Sequence, residues 1–69
     1  MEKLTHEYYI IMQSGCSAGE IVLSIDPFWG DCRVCVIFYD TFSVVYEACF
    51  SNLDEARKTC AQLMQEYSE

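Results

Sequence analysis

Four short apolar runs followed by one helical pattern divide the chain into five predicted elements. Residues 7–13 are rich in aromatic and β-branched side chains, and residues 20–26 alternate between apolar and polar positions, so both runs are typical of β-strands. Residues 32–39 and 42–50 are also rich in aromatic and β-branched side chains and are likewise predicted to be strands. Residues 14–19 are small, include two glycines, and are predicted to form a loop. One face of the last run consists of Phe42, Val44, Tyr46, Ala48 and Phe50.

After Phe50 the apolar spacing changes from a period of two to the period of an α-helix. Ser51 or Asn52 can accept hydrogen bonds from the first free backbone N–H groups, and Glu55 stands three residues after Asn52, as in a capping box. The pattern therefore predicts a helix over residues 52–67. Its apolar stripe consists of Leu53, Ala56, Cys60, Leu63, Met64 and Tyr67.

The order of these elements predicts a single small α+β domain across residues 1–69. The connections between the strands are short, whereas parallel strands need a crossover of about a dozen residues or more. We therefore expect a four-stranded antiparallel β-meander followed by one C-terminal amphipathic α-helix (β-β-β-β-α). The helix is expected to pack on one face of the sheet.

The first and third strands are apolar on both faces, although a helix of about 24 Å covers only one face of a sheet. This surplus predicts that the second face binds another protein or a second copy of the chain. The alternative is that partly exposed Tyr and Cys side chains need no cover, with Glu20 and Glu47 among the polar residues that break the patch. The apolar residues assigned to the second face are Tyr9, Ile11, Val22, Cys35, Ile37, Tyr39 and Val45.

The chain has eleven acidic residues against four basic ones, which gives a formal net charge of −7. This balance disfavours direct binding to nucleic acid or to an anionic membrane surface, since both rely on basic side chains. A basic protein partner is compatible with it, although the charge can also serve only to keep a small domain in solution. No apolar run reaches the length of a transmembrane helix and no signal peptide is recognised, so a cytoplasmic location is expected.

Five cysteines cannot all pair within one chain, and Cys32 and Cys35 form a Cys-x-x-Cys pair. Residues three apart on a strand point to opposite faces, which favours structural thiols over a redox or zinc site. His6 has no neighbouring nucleophile, and the chain contains neither a phosphate-binding loop nor a hydrolase motif. We therefore predict no catalytic residues, no cofactor, no metal and no enzymatic activity.

The connection over residues 26–31 contains the only proline and the only tryptophan of the chain. Phe28 and Trp29 stand between Asp26 and Asp31. Trp29 either closes one end of the core or is an exposed anchor for a partner. In the second case the flanking carboxylates suit a partner that presents Lys or Arg, through ion pairs and cation–π contacts.

These features predict a small acidic, non-catalytic protein-binding module that inhibits a basic nucleic-acid-binding protein. Anti-CRISPR proteins and DNA mimics of phages are a class-level analogy for it rather than a sequence match. An antitoxin or a structural homodimer is an alternative, and a binder of single-stranded nucleic acid is disfavoured because Arg33 is the one clear base in the strands. The residues predicted to contact the partner are Tyr9, Ile11, Glu20, Asp26, Phe28, Trp29, Asp31, Ile37, Tyr39 and Glu47.

Overall fold

The computed structural model describes residues 5–68 as one antiparallel sheet with a helix packed on it. The strands are hydrogen-bonded in their order along the chain, as a meander requires. This arrangement confirms the predicted α+β fold. The elements are β1 (Thr5–Gln13), β2 (Cys16–Ile25), β3 (Cys32–Phe38), β4 (Ser43–Phe50) and α1 (Leu53–Tyr67).

The first hairpin is tighter than the sequence predicts, because β2 already begins at Cys16. Ser14 and Gly15 have φ angles of 53° and 78°, and two consecutive positive φ angles form a two-residue turn whose twist matches that of the strands. Gln13 therefore pairs directly with Cys16. The predicted loop over residues 14–19 is wrong beyond its first two residues, since small side chains do not prevent strand pairing.

A bulge in β4 overturns the simple alternation predicted for residues 42–50. Val36 pairs with Tyr46, but Ile37 pairs with Val44, which leaves Val45 as the extra residue. Directly opposed residues share a sheet face, so Val44 lies on the face of Ile37 and not on that of Tyr46. Phe42 precedes the strand, with a φ of 51° and a side chain that is 78% exposed.

The core lies between the sheet and α1. The helix contributes the buried residues Ala56, Cys60 and Leu63, with Leu53, Met64 and Tyr67 packed around them, so the predicted stripe is confirmed. Apolar contact along this stripe is the main stabilising interaction of an amphipathic helix. The buried side chains of the sheet are Ile11, Ile21, Leu23, Cys32, Val34 and Val36.

Polar contacts determine where α1 begins and how its two ends meet β1. Asn52 is the N-cap, and its side chain accepts hydrogen bonds from the backbone N–H groups of Asp54 and Glu55. In the second turn, Arg57 donates to Glu7 at 2.8 Å, and this hydrogen bond is the largest cause of the lowered pKa of Glu7. At the other end of the helix, the Gln13 side chain donates to the carbonyl oxygen of Tyr67 at 2.6 Å.

Leu63→Ala is expected to lower the free energy of unfolding by about 2–5 kcal/mol, because it leaves a cavity between α1 and the sheet. Gln62→Ala on the exposed side of the helix is the matched control, with an expected change within about 0.5 kcal/mol. Urea denaturation followed by circular dichroism measures both. Equal effects of the two substitutions would contradict the packing of the stripe.

Gly19→Ala is expected to lower the free energy of unfolding by roughly 1–3 kcal/mol. A Cβ atom at this position of β2 would meet the carbonyl oxygen of Ile37 and the backbone of Phe38 on the adjacent strand. Because backbone atoms yield only if the two strands separate, the sheet must distort. The same denaturation experiment with Ser17→Ala is the control, since Ser17 lies on the same strand and is exposed.

Candidate protein-binding surface

We call the sheet surface opposite α1 the open face. It consists of residues that oppose one another across all four strands, in three rows. Because directly opposed residues point to the same side of a sheet, each row forms a continuous strip. From one end of the sheet to the other, the rows are His6–Ser24–Arg33–Cys49, Tyr8–Val22–Cys35–Glu47 and Ile10–Glu20–Ile37–Val44, with Met12 and Val45 beside the last of them.

Large apolar side chains on the open face are exposed. Five of them have exposed fractions between 41% and 60%, and the half-buried Val22 and Ile37 lie between them on the inner strands. A contiguous exposed apolar patch is uncommon on a monomer and usually marks an interface. The five exposed side chains are Tyr8, Ile10, Met12, Val44 and Val45.

Two residues predicted on this surface lie on the other side of the sheet. Ile11 is fully buried under α1, and Tyr9 is half-buried against the core. Tyr9 is opposite Ile21, whose side chain is also buried in the core. The assignment of Tyr9 and Ile11 to the second face is therefore wrong, and Tyr8, Ile10 and Met12 are the β1 residues of the open face.

The predicted polar residues Glu20 and Glu47 do lie on the open face, and each accepts a hydrogen bond there. The hydroxyl of Tyr39, just after β3, donates to Glu20 at 2.9 Å, which is the main cause of the raised pKa of Tyr39. The thiol of Cys35 donates to Glu47 at 3.5 Å. Burial, followed by this bond, raises the pKa of Cys35. Within this surface the two carboxylates thus bind neighbouring side chains.

The connection between β2 and β3, which we call the aromatic loop, is residues 26–31. The Asp26 carboxylate accepts hydrogen bonds from the backbone N–H groups of Phe28 at 2.9 Å and Trp29 at 3.2 Å. The Gly30 N–H donates to the Asp26 carbonyl at 2.8 Å, and Gly30 has a φ of 77°, which glycine adopts without strain. Asp26 N–H donates to the Asp31 carbonyl at 2.9 Å and closes the loop.

Phe28 and Trp29 point into solvent, with exposed fractions of 79% and 73%. Their rings contact edge to face, with centroids 4.9 Å apart, so the two side chains form one aromatic cluster. Trp29 is therefore not a plug of the core. Of the two alternatives from the sequence, the exposed position is correct, while its use as an anchor stays a prediction.

An open groove of about 850 Å³ is lined by residues of both the aromatic loop and the first row of the open face. Its lining includes Asp26 and Asp31 from the loop, together with His6, Arg33 and Cys49 from the sheet. The groove joins the aromatic loop and the open face into one surface that carries charges of both signs. It contains the predicted contact residues Asp26 and Asp31 and adds Arg33, which the sequence did not single out for partner binding.

The two cysteines of the Cys-x-x-Cys pair lie on opposite sides of the sheet, as the strand period predicts. Cys32 is buried in the core, whereas Cys35 is half-buried on the open face. All five thiols are free. Among residues 5–68 no group of three His, Cys, Asp or Glu side chains is arranged to hold a metal ion.

No protein-family model, curated protein or solved structure matches this chain. Within residues 5–68, no helix has both the length and the apolar character needed to cross a membrane.

Thiol labelling tests the two faces of the sheet. We expect Cys16 and Cys49, which are exposed, to react rapidly with Ellman's reagent, and Cys32, Cys35 and Cys60 to react slowly. Burial is the main cause of the raised pKa of each slow thiol, and a higher pKa leaves less of the reactive thiolate at neutral pH.

The control is the same reaction in denaturant, where all five thiols should react at similar rates. Comparison of the Cys35→Ser and Cys32→Ser variants with the wild-type chain shows which slow reaction belongs to Cys35 and which to Cys32. Reaction of Cys32 before Cys35 would contradict the assignment of Cys32 to the core side.

Proposed function

We propose that this protein is a non-catalytic protein-binding module whose binding surface is the open face together with the aromatic loop. The single observation that carries the proposal is the set of five exposed apolar side chains on the face that α1 leaves uncovered. Covering them with a partner removes apolar area from water, which is the dominant favourable contribution to most protein association.

The size of this contribution indicates that burial of the open face alone is not enough for a stable complex. Full burial of one large apolar side chain is favourable by about 1.5–3 kcal/mol, so five half-exposed side chains supply about 4–7 kcal/mol. Loss of rotational and translational freedom on association costs about 4 kcal/mol or more. A stable complex therefore needs additional contacts, and the exposed Phe28 and Trp29 of the aromatic loop can supply them. Tryptophan is enriched among the residues that dominate binding energy.

The charge of the surface favours a basic partner. Asp26 and Asp31 flank the Phe28–Trp29 cluster, and the whole chain carries a net charge of −7. A Lys or Arg side chain placed over Trp29 gains a cation–π contact with the ring and an ion pair with a flanking carboxylate. Arginine suits this position best, because its planar guanidinium can stack on the ring and bind the carboxylate at once.

Within this class we propose an inhibitor that occupies the basic surface of a nucleic-acid-binding protein, as anti-CRISPR proteins and DNA mimics do. The acidic balance supports this function, since basic surfaces that bind phosphates also attract carboxylates. Direct binding of single-stranded nucleic acid is disfavoured by the same acidic charge. Arg33 is the single Lys or Arg on the described open face, and stacking of bases on aromatics is normally accompanied by a positive groove.

The test is capture of partners from a lysate of the source organism on immobilised protein, followed by affinity measurement with the purified partner. Val44→Lys is expected to weaken binding roughly tenfold or more, because it places a hydrated ammonium group in the apolar patch. Ala61→Lys on the exposed side of α1 is the matched control, since it makes the same change in charge away from the patch, and it should leave affinity within about twofold.

Trp29 supplies a second readout because it is the only tryptophan. On binding, its emission should shift to shorter wavelength, and Trp29→Ala should weaken binding without changing the free energy of unfolding by more than about 0.5 kcal/mol. Double-stranded DNA should compete with the protein for the partner. Equal capture by wild-type protein and a Val44→Lys, Trp29→Ala double variant would overturn the proposed surface, and absence of competition by nucleic acid would overturn the inhibitor function.

A further inference from the structure

The two edge strands of the sheet differ in how well they are protected from pairing with another chain. An edge strand presents a row of unpaired backbone N–H and C=O groups, and proteins protect such edges with bulges, prolines or charges. β4 has the bulge at Val45 and an exposed Glu47. β1 is nine residues long and contains neither proline nor glycine, and the irregularity in its pairing places the extra residue, Ala18, in β2. Among residues 5–68, β1 is thus the less protected of the two edges.

The distribution of charge indicates what can approach this edge. Two copies of a chain with a net charge of −7 repel each other wherever carboxylates meet. Glu7 is the only carboxylate residue in β1, and Arg57 lies 2.8 Å from it. The remaining acidic residues of the described chain lie on other elements. β1 is therefore an edge along which two copies can meet with little electrostatic cost.

We propose that β1 pairs antiparallel with β1 of a second copy and joins the two sheets into one of eight strands. Two identical strands can pair antiparallel about a two-fold axis, so β1 meets the requirement that a two-fold symmetric interface use the same residues of both copies. Pairing of all nine residues of β1 is centred on Tyr9. This register places Tyr8 of one copy opposite Ile10 of the other, and Glu7 opposite Ile11, so that no carboxylates face each other.

The pairing also explains the apolar residues of β1 on the open face. Opposed residues share a face, so both helices lie on one side of the joined sheet and both open faces lie on the other. Tyr8, Ile10 and Met12 of the two copies then form one apolar strip at the dimer axis. The interface uses the edge of the sheet and not its surface, so it leaves Val44, Val45 and the aromatic loop free to bind a partner.

Sedimentation equilibrium across about 1 μM to 1 mM protein tests the proposal. The wild-type chain should approach twice its 8.0 kDa mass, with association strengthened by salt because salt screens the repulsion between two acidic copies. Ile10→Glu should raise the dissociation constant of the dimer at least roughly tenfold, since it places a carboxylate in the paired strands. Tyr8→Glu is a second variant, because Tyr8 is still more exposed and its substitution disturbs the fold less.

Val44→Glu is the matched control: it makes the same change in charge on the same face but on the opposite edge strand. It should leave the dimer intact. A monomeric wild-type chain at the highest concentration would overturn the proposal, as would equal dissociation by Ile10→Glu and Val44→Glu, which would assign self-association to the open face. Dimerisation without any captured partner would overturn the proposed function and leave this inference standing.

Discussion

The packing of one 15-residue helix on a four-stranded sheet is the constraint on which the other features of this protein depend. Ala56, Cys60 and Leu63 of α1 cover the side of the sheet that carries Leu23 and Val36, and the chain offers no second described helix for the other side. A domain of this size buries a modest fraction of its surface. Apolar residues in excess of those that the helix covers must therefore face water or a partner.

The surfaces that result differ in their chemistry. The open face carries five exposed apolar side chains, the aromatic loop combines two exposed aromatic rings with two aspartates, and the β1 edge presents backbone hydrogen-bonding groups. The aromatic loop is held by its own backbone and by the Asp26 carboxylate, so contacts within the loop fix the backbone positions of Phe28 and Trp29. Such preorganisation lowers the entropy that binding costs. The net charge of −7 disfavours acidic partners at all of these surfaces and restricts where two copies of the chain could meet.

Details of the backbone explain where sequence reasoning was incomplete. Ser14 and Gly15 are enough to form a turn, so the small residues that follow them belong to β2. One extra residue in β4 moves Val44 to the opposite face, which a count of alternating positions cannot reveal. Turns with positive φ angles and β-bulges depend on how neighbouring strands pair, and that pairing is a property of the folded sheet.

The sequence by itself determined the order of elements, the buried stripe of α1, a capped start of the helix at Ser51 or Asn52, and the opposite orientation of Cys32 and Cys35, because each follows from a local period or a local hydrogen bond. Only the tertiary structure decided which side of β1 the helix covers. Tyr9 and Ile11 alternate with Tyr8 and Ile10 and are equally apolar, so the period defines two faces without saying which is buried. The sequence also left the position of Trp29 undecided, because that position depends on where the loop lies relative to the core and no local pattern specifies it.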